Sequence, residues 1–483
     1  MTPTRTAGRF DPRTLTFAGV LAAIFLSALD QTIVGTAMPT IARELNGVDR
    51  YTWVTTAYLL TSTAVIPVVG KVSEQLGRKQ VFIAAILAFL LGSALCGAAP
   101  TMNWLIAFRA FQGVGGGMIS GTAFAVIADL FSPAERGRYT GLLTGVFGIA
   151  SVVGPLVGGA LTDNVGWRWV FYVNLPVGAA VIAVLVSVFP ATRRERGRPR
   201  IDWQGALLIA TAAAALAYGF SDEGTAGWAA PQVGISIAAG VVLLVAGLFW
   251  ERRAPEAVLP PELFRSSIFA LSSAVMFLVG ALMFGTITYI PVFLQYVVGV
   301  RATNSGLLLL PLMAGMVLAS ILGGQLLSRT GRYRWMAVTG SALLLAGLLV
   351  TTRLDVHSSQ LDVSIPMVVM GVGIGLSMPV YSVVSQNALP QRLVSSATSA
   401  VQFLRQMGSV LGLAVAGSYF NTRLGAAQGS AVERTASAIH DVFLLTAAIG
   451  VLALVLCLFI KEIPLRRSNA ATEPRPAGAP AAA

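Results

Sequence analysis

At 483 residues, the chain carries only 11% charged side chains against 55% apolar ones, and its mean hydropathy is +0.75. A soluble globular protein carries about 25% charged residues, so the composition excludes a water-soluble fold of the two or three domains this length would allow. The solvent is lipid, and apolar runs of about twenty residues, rather than alternating ten-residue strands, predict an all-α membrane protein.

The 50 Gly and 23 Pro are ordinary in membrane helices, whose neighbours re-satisfy freed backbone groups. Cys96 and Cys457 lie inside apolar runs and read as small hydrophobes. His357 stands in a polar connector and His440 at the polar edge of the last apolar run, and neither a zinc-ligand cluster nor the glycine-rich phosphate loop of nucleotide hydrolases occurs. No enzymatic activity, metal or cofactor is expected. Any work must then draw on gradients or partners.

Twenty apolar residues cross a bilayer of about 30 Å, and on that measure fourteen spans are predicted. The first six occupy 14–37, 52–69, 81–99, 104–128, 139–161 and 168–190. The first follows Arg5, Arg9 and Arg13, as a secretory leader would, but it is too long for one and carries Asp30. Spans seven and eight, 203–220 and 233–250, contain no charge. The last six occupy 268–290, 304–326, 335–352, 364–386, 395–418 and 439–460. With both termini cytoplasmic, 24 of the 33 Lys and Arg fall on the inner face, as the positive-inside bias requires. The net charge of +12 then reflects contact with anionic lipid rather than nucleic acid, because the basic residues are scattered over short loops.

The chain also repeats itself. Gly70-Lys-Val-Ser-Glu74-Gln-Leu-Gly77-Arg78-Lys79 follows span two, and Gly324-Gln-Leu-Leu-Ser328-Arg329-Thr-Gly331-Arg332-Tyr333 follows span ten. The spacing predicts an N-terminal six-helix bundle over 1–190, an inserted pair with linkers over 191–266, a C-terminal six-helix bundle over 267–465 and a disordered cytoplasmic tail over 466–483. Such repeats build alternating-access transporters, with the substrate site near the midplane between them.

Five pieces occur in order: Leu29-Asp30-Gln-Thr-Ile-Val-Gly-Thr-Ala-Met-Pro39, the Gly70–Lys79 loop, Arg109-Ala-Phe-Gln112-Gly113-Val-Gly115-Gly116-Gly117, Gly154-Pro155-Leu-Val-Gly158-Gly159, and Trp167-Arg168-Trp169-Val-Phe171-Tyr-Val-Asn174-Leu-Pro176. With these the chain resembles the major facilitator superfamily, specifically its fourteen-span drug:proton antiporters of the QacA/EmrB kind. The resemblance implies the major facilitator fold and a multidrug efflux pump of the plasma (inner) membrane, associated with antibiotic resistance. It also implies that Gly70, Glu74, Gly77, Arg78, Lys79, Asp129, Arg136 and Arg138 form a cytoplasmic gate. Gly154, Pro155, Gly158 and Gly159 would press one bundle on the other. The gate residues can also be read as a solvated basic loop, and the glycines as simple packing. Glu74 stands where the family more often has Asp, and Ala150 where its motif often starts with Gly.

A carboxylate inside a span is a functional-site hypothesis with a partner to be named. At 1.5 Å per residue Asp30 lies about 8 Å from the outer face, and Arg109, entering from that face, lies about 8 Å below it. The matched depths predict that the two meet. Burial favours a neutral acid while a nearby Arg favours the anion, so proton affinity would change as a cavity opens and closes; a static ion pair is the alternative. The cavity wall is expected to include Gln31, Tyr58, Gln112, Tyr289, Phe293, Gln295, Tyr381, Gln402 and Arg405, since aromatic faces with few polar groups suit flat lipophilic cations. Arg405 could face Asp30, attract an anionic group or cap broken backbone carbonyls. The expected protein is a monomer exchanging protons for hydrophobic, cationic small molecules across the lipid bilayer. A lipid exporter, a proton-coupled nutrient symporter and a non-transporting sensor are the alternatives.

Overall fold

A computed structural model of the chain describes residues 12–47, 50–189, 202–227, 229–254, 257, 259–299 and 309–465. The expected tail over 466–483 and the 191–201 part of the linker lie outside these described residues. The long helices are α1 (Pro12–Glu44), α2 (Tyr51–Leu76), α3 (Arg78–Gly97), α4 (Met102–Leu130), α5 (Pro133–Asn164), α6 (Asn174–Val188) and α7 (Trp203–Ala226). They continue as α8 (Pro231–Glu251), α9 (Ser267–Tyr296), α10 (Leu310–Thr330), α11 (Arg334–Thr351), α12 (Gln360–Asn387), α13 (Val394–Ala426) and α14 (Ala431–Leu458). No strand occurs among the described residues.

Among the described residues twelve helices are long and apolar enough to cross a membrane, where the sequence predicts fourteen. The two that fall short are α7, whose apolar stretch is confined to Leu207–Phe220, and α13. The second has a physical reason. Helix α13 carries Ser395, Ser396, Thr398, Ser399, Gln402 and Ser409, all buried among other helices, so its composition answers to protein neighbours rather than to lipid.

Local chemistry sets the helix ends. Ser132 and Glu135, Ser359 and Asp362, and Ser430 and Glu433 form reciprocal capping boxes that start α5, α12 and α14, each satisfying backbone N–H groups that the first turn leaves open. Gly77 (φ +99°) and Gly331 (φ +67°) occupy equivalent places in the two sequence repeats, at the ends of α2 and α10. Only a residue without Cβ reverses the chain cheaply there.

The buried apolar residues of α1–α6 form two clusters around Phe82, Phe89 and Ile119 and around Ile33, Leu105 and Phe171. Those of α9–α14 form one, around Met316, Met370, Ile374 and Phe443, which also takes in Ile209, Ala213 and Leu216 of α7. Helix α7 packs on both α2 and α13, while α8 packs on α7 and leaves Ile235 and Val242 about two-thirds exposed, a face suited to lipid. The first and second halves meet along α5 against α10 and α12, and along α2 and α4 against α13. At the end of the molecule holding the Gly70–Lys79 loop, here called the loop end, these contacts are tight. A Cβ on Gly141 would run into the Ser320 carbonyl, and one on Gly324 into the Gly137 carbonyl.

Candidate functional site

Asp30, midway along α1, is completely buried. Its Oδ2 accepts from Arg109 Nη1 at 2.6 Å, and its Oδ1 accepts from Gln112 Nε2 at 2.9 Å and from Asn174 Nδ2 at 2.8 Å. Arg109 Nη1 also donates to Gln112 Oε1 at 2.8 Å, and its guanidinium carbon lies 4.3 Å from the centre of the Tyr58 ring. Residues 109 and 112 stand one turn apart on α4, so both reach the same carboxylate. Behind them Asn174 Nδ2 donates to Ser93 Oγ at 2.9 Å, and Ser93 Oγ to the Phe171 carbonyl at 2.8 Å. The predicted meeting of Asp30 and Arg109 is therefore observed as geometry. Asn174 enters the sequence reading only as a member of the Trp167–Pro176 motif and Ser93 not at all, although a polar Asn among apolar neighbours in a membrane helix is the signal that points to such a role.

The glycines of α4 make this arrangement possible. A Cβ on Gly116 would collide with the Tyr58 hydroxyl, and one on Gly117 with the Ser62 backbone. Small residues here let α2 lie close enough for the Tyr58 ring to cover Arg109. The Tyr58 hydroxyl pairs with Ser27 Oγ at 3.0 Å.

Between the halves lies a central cavity of about 440 Å3, within the range of small-molecule sites. Its first-half wall is uncharged and mixed, with Gln31, Thr32, Thr55, Tyr58, Ser62, Thr140 and Thr144 beside Leu59, Ile66, Phe124 and Phe147. Its second-half wall carries Met276, Met283, Met313, Met316 and Met378, together with Gln402, Arg405 and Gln406. Arg405 is the one charged side chain among the described lining residues, so the wall expected to suit flat cations has a positive charge instead. Asp30 is not on that wall. Tyr58 and Gln31 stand on the cavity side, and the carboxylate is enclosed by α1, α3, α4 and α6.

Several expected wall residues lie elsewhere. Gln112 binds Asp30. Tyr289 and Phe293 turn into the core of the second half, where their rings lie 5.3 Å from Phe420 and 6.4 Å from Phe443. On α9 the cavity face is set by Met276, Met283 and Ile287, and Tyr289, two positions on, points nearly the opposite way. Tyr381 is held against α11 by Ser341 Oγ at 2.9 Å. The side chain of Gln295 lies outside the described residues. The stripe of methionines was not anticipated, since methionine in an apolar span gives no signal that separates wall from core.

The expected gate gathers at the loop end with a different chemistry. Its ion pair, Arg78 Nε to Asp129 Oδ2 at 2.8 Å, lies within the first half. Bonds between the halves run instead from Arg78 Nη2 to Ser395 Oγ at 3.0 Å, from Ser395 Oγ to the Gly70 carbonyl at 3.2 Å, and from Arg136 Nη1 to Gln386 Oε1 at 3.1 Å. The Arg138 backbone N–H donates to Ser328 Oγ at 3.1 Å. Lys79 donates to the Val186 and Phe189 carbonyls, satisfying the end of α6 rather than latching the halves. Glu74 stands half-buried on α2 at the same end. Outside the spans, burial pushes the Tyr333 phenol up; its oxygen accepts from the Ile463 N–H at 2.8 Å, holding residues 461–463 against the loop end.

Gly154 and Gly158, expected to press on the other half, face α1 of their own half, where a Cβ would meet Thr32 or Thr36. Gly159 has no neighbour within 4 Å of where a Cβ would stand, and Pro155 lines the cavity. The α5 glycines that face the second half lie nearer the loop end, at 137, 141, 145 and 148. Over the length of α5, spacing alone does not say which neighbour a glycine meets.

A helical bundle split into two halves around one cavity, with a buried carboxylate beside it, is the plan of a membrane transporter. Residues 20–413 match the Major Facilitator Superfamily, and the chain belongs to that family, whose members are transporters rather than enzymes. It is 39% identical over 485 residues to the MFS-type transporter Rv1877 of Mycobacterium tuberculosis, covering 94% of this chain and 70% of that protein. It is 37% identical over 420 residues to the multidrug transporter protein MdtP of Bacillus subtilis, covering 86% and 77%. Among solved structures, the human organic anion transporter MFSD10 shares the fold with a TM-score of 0.68 at 15% identity, over 93% of this chain and 100% of that one.

Proposed function

We propose that the protein is a proton-coupled antiporter that exports lipophilic small molecules by alternating access. In this reading α7 and α13 complete fourteen crossings of the plasma membrane, both termini are cytoplasmic, and the monomer is the working unit. The observation that carries it is the enclosed Asp30 carboxylate, held by Arg109, Gln112 and Asn174 with Tyr58 between it and the cavity. A carboxylate in that position can take up a proton from one side and release it to the other as the halves rock. Tyr58 touches both the cavity and Arg109, so it is the element through which cargo and proton sense each other. Gln31 flanks it on the cavity wall. An inward proton supplies about 1.4 kcal/mol per pH unit, and about 2.3 kcal/mol per 100 mV where net charge moves. The loop-end contacts made by Arg78, Arg136 and Ser328 form the cytoplasmic gate, closed here. Names of relatives such as the multidrug transporter MdtP support a small-molecule cargo.

The test is dye transport in proteoliposomes driven by a pH gradient, wild type beside Asp30→Asn. Loss of gradient-driven transport in the variant, with dye binding kept, is expected. Undiminished coupling in the variant overturns the assignment.

A further inference from the structure

Arg405 has no role in the proton network, yet it stands on the cavity wall. Its Nε donates to Gln402 Oε1 at 3.0 Å, while Nη1 and Nη2 have no partner among the described residues. Gln402 is itself buried, so the contact fixes the guanidinium plane. No acidic side chain lies among the described residues of that wall, and Asp30, outside it, is already paired with Arg109, which stacks on Tyr58.

A cation held away from bulk water without a counter-charge is costly, and the cost is relieved when an anion enters. The two free Nη groups form the fork that matches the two oxygens of a carboxylate or sulfonate. Around it the methionine wall offers polarisable, adaptable apolar surface. We propose that the cavity binds amphiphilic monoanions, with the acid group on Arg405 and an apolar or aromatic body against Met313, Met316 and their neighbours. This rests on the exporter reading and names its cargo class, replacing the cation expected from the sequence.

The test uses three fluorescent probes that share one aromatic body and differ in the head group: pyrenebutyrate, neutral pyrenebutanamide and cationic pyrenebutylamine. Binding to purified protein in nanodiscs is measured without a gradient. Pyrenebutyrate is expected to bind the wild type about tenfold tighter than the amide, the scale of a charge-assisted bidentate contact, and the amine weakest. In Arg405→Gln the three are expected to fall within about threefold of one another, and Arg405→Lys to keep part of the preference. Equal or tighter binding of the amine by wild type, no binding of the anion, or an unchanged order in Arg405→Gln overturns the proposal. The wild-type order decides the matter even where a variant fails to fold. Gradient-driven transport of the amide without any preference for the anion leaves the exporter reading standing and removes the charge assignment. The converse, anion preference without gradient-driven transport, removes only the proton coupling.

Discussion

The two walls of the central cavity solve different problems with the same helical repeat. The first half buries a carboxylate and spends Arg109, Gln112, Asn174 and Ser93 on holding it; the face it shows the cavity is uncharged, hydroxyl and amide groups mixed with Leu59, Ile66, Phe124 and Phe147. Among its described residues the second half shows no such buried carboxylate. Its wall carries five methionines, two glutamines and one guanidinium, Arg405, held at a single nitrogen. A fully satisfied network is rigid and specific, whereas methionine accommodates many shapes. On the proposed function, energy coupling belongs to the first half, and the second half adds to the shared cavity its adaptable methionines and its charge.

The sharpest way to break this division is at Arg109. Arg109→Ala leaves an unpaired buried carboxylate and is expected to lower stability by about 3–5 kcal/mol, read as a fall in the melting temperature of the purified protein. Adding Asp30→Asn to Arg109→Ala is expected to recover much of that loss, because the charge left behind is then removed; two losses that simply add would show that the residues are independent. A smaller effect is expected where the halves touch. Gly141→Val drives a side chain into the Ser320 carbonyl and should favour separation of the halves by about 1–3 kcal/mol. The readout is faster thiol labelling of a cysteine placed at Ser328, and unchanged labelling counts against a hinge there. The smallest effect belongs to the adaptable wall. Met316→Ala is expected to change apparent affinity by about two- to fivefold, by an amount that differs between probes, and to leave proton coupling as in wild type. Uniform loss of coupling in that variant would erase the distinction between the walls.

How much of this was legible in the chain differs by residue type. Asp30 and Arg109 announced themselves because charge inside hydrocarbon is costly, and matched depths along two helices are simple arithmetic. Gly77 and Gly331 were visible as a repeated spacing, which the fold explains by left-handed turns. Tyr289, Phe293 and Tyr381 were not placed correctly, because an aromatic residue in an apolar span suits core, lipid and cavity equally. The same ambiguity hid the methionine wall. Gly154 and Gly158 meet α1 rather than the second half, since a helix that passes two partners shows no sign in its sequence of which one a given glycine touches.

By itself, then, the sequence determined a lipid-embedded helical bundle, its repeated motif and the pairing of Asp30 with Arg109, because hydrophobic length and the cost of buried charge are local properties of a chain. Only the tertiary structure decided that the carboxylate lies behind Tyr58 rather than on the cavity wall, that neutral groups and guanidinium donors join the halves at the loop end, and that Arg405 carries the one charge on the described wall. Those facts depend on which faces of separate helices meet, and helices that are apolar all round leave that choice to packing.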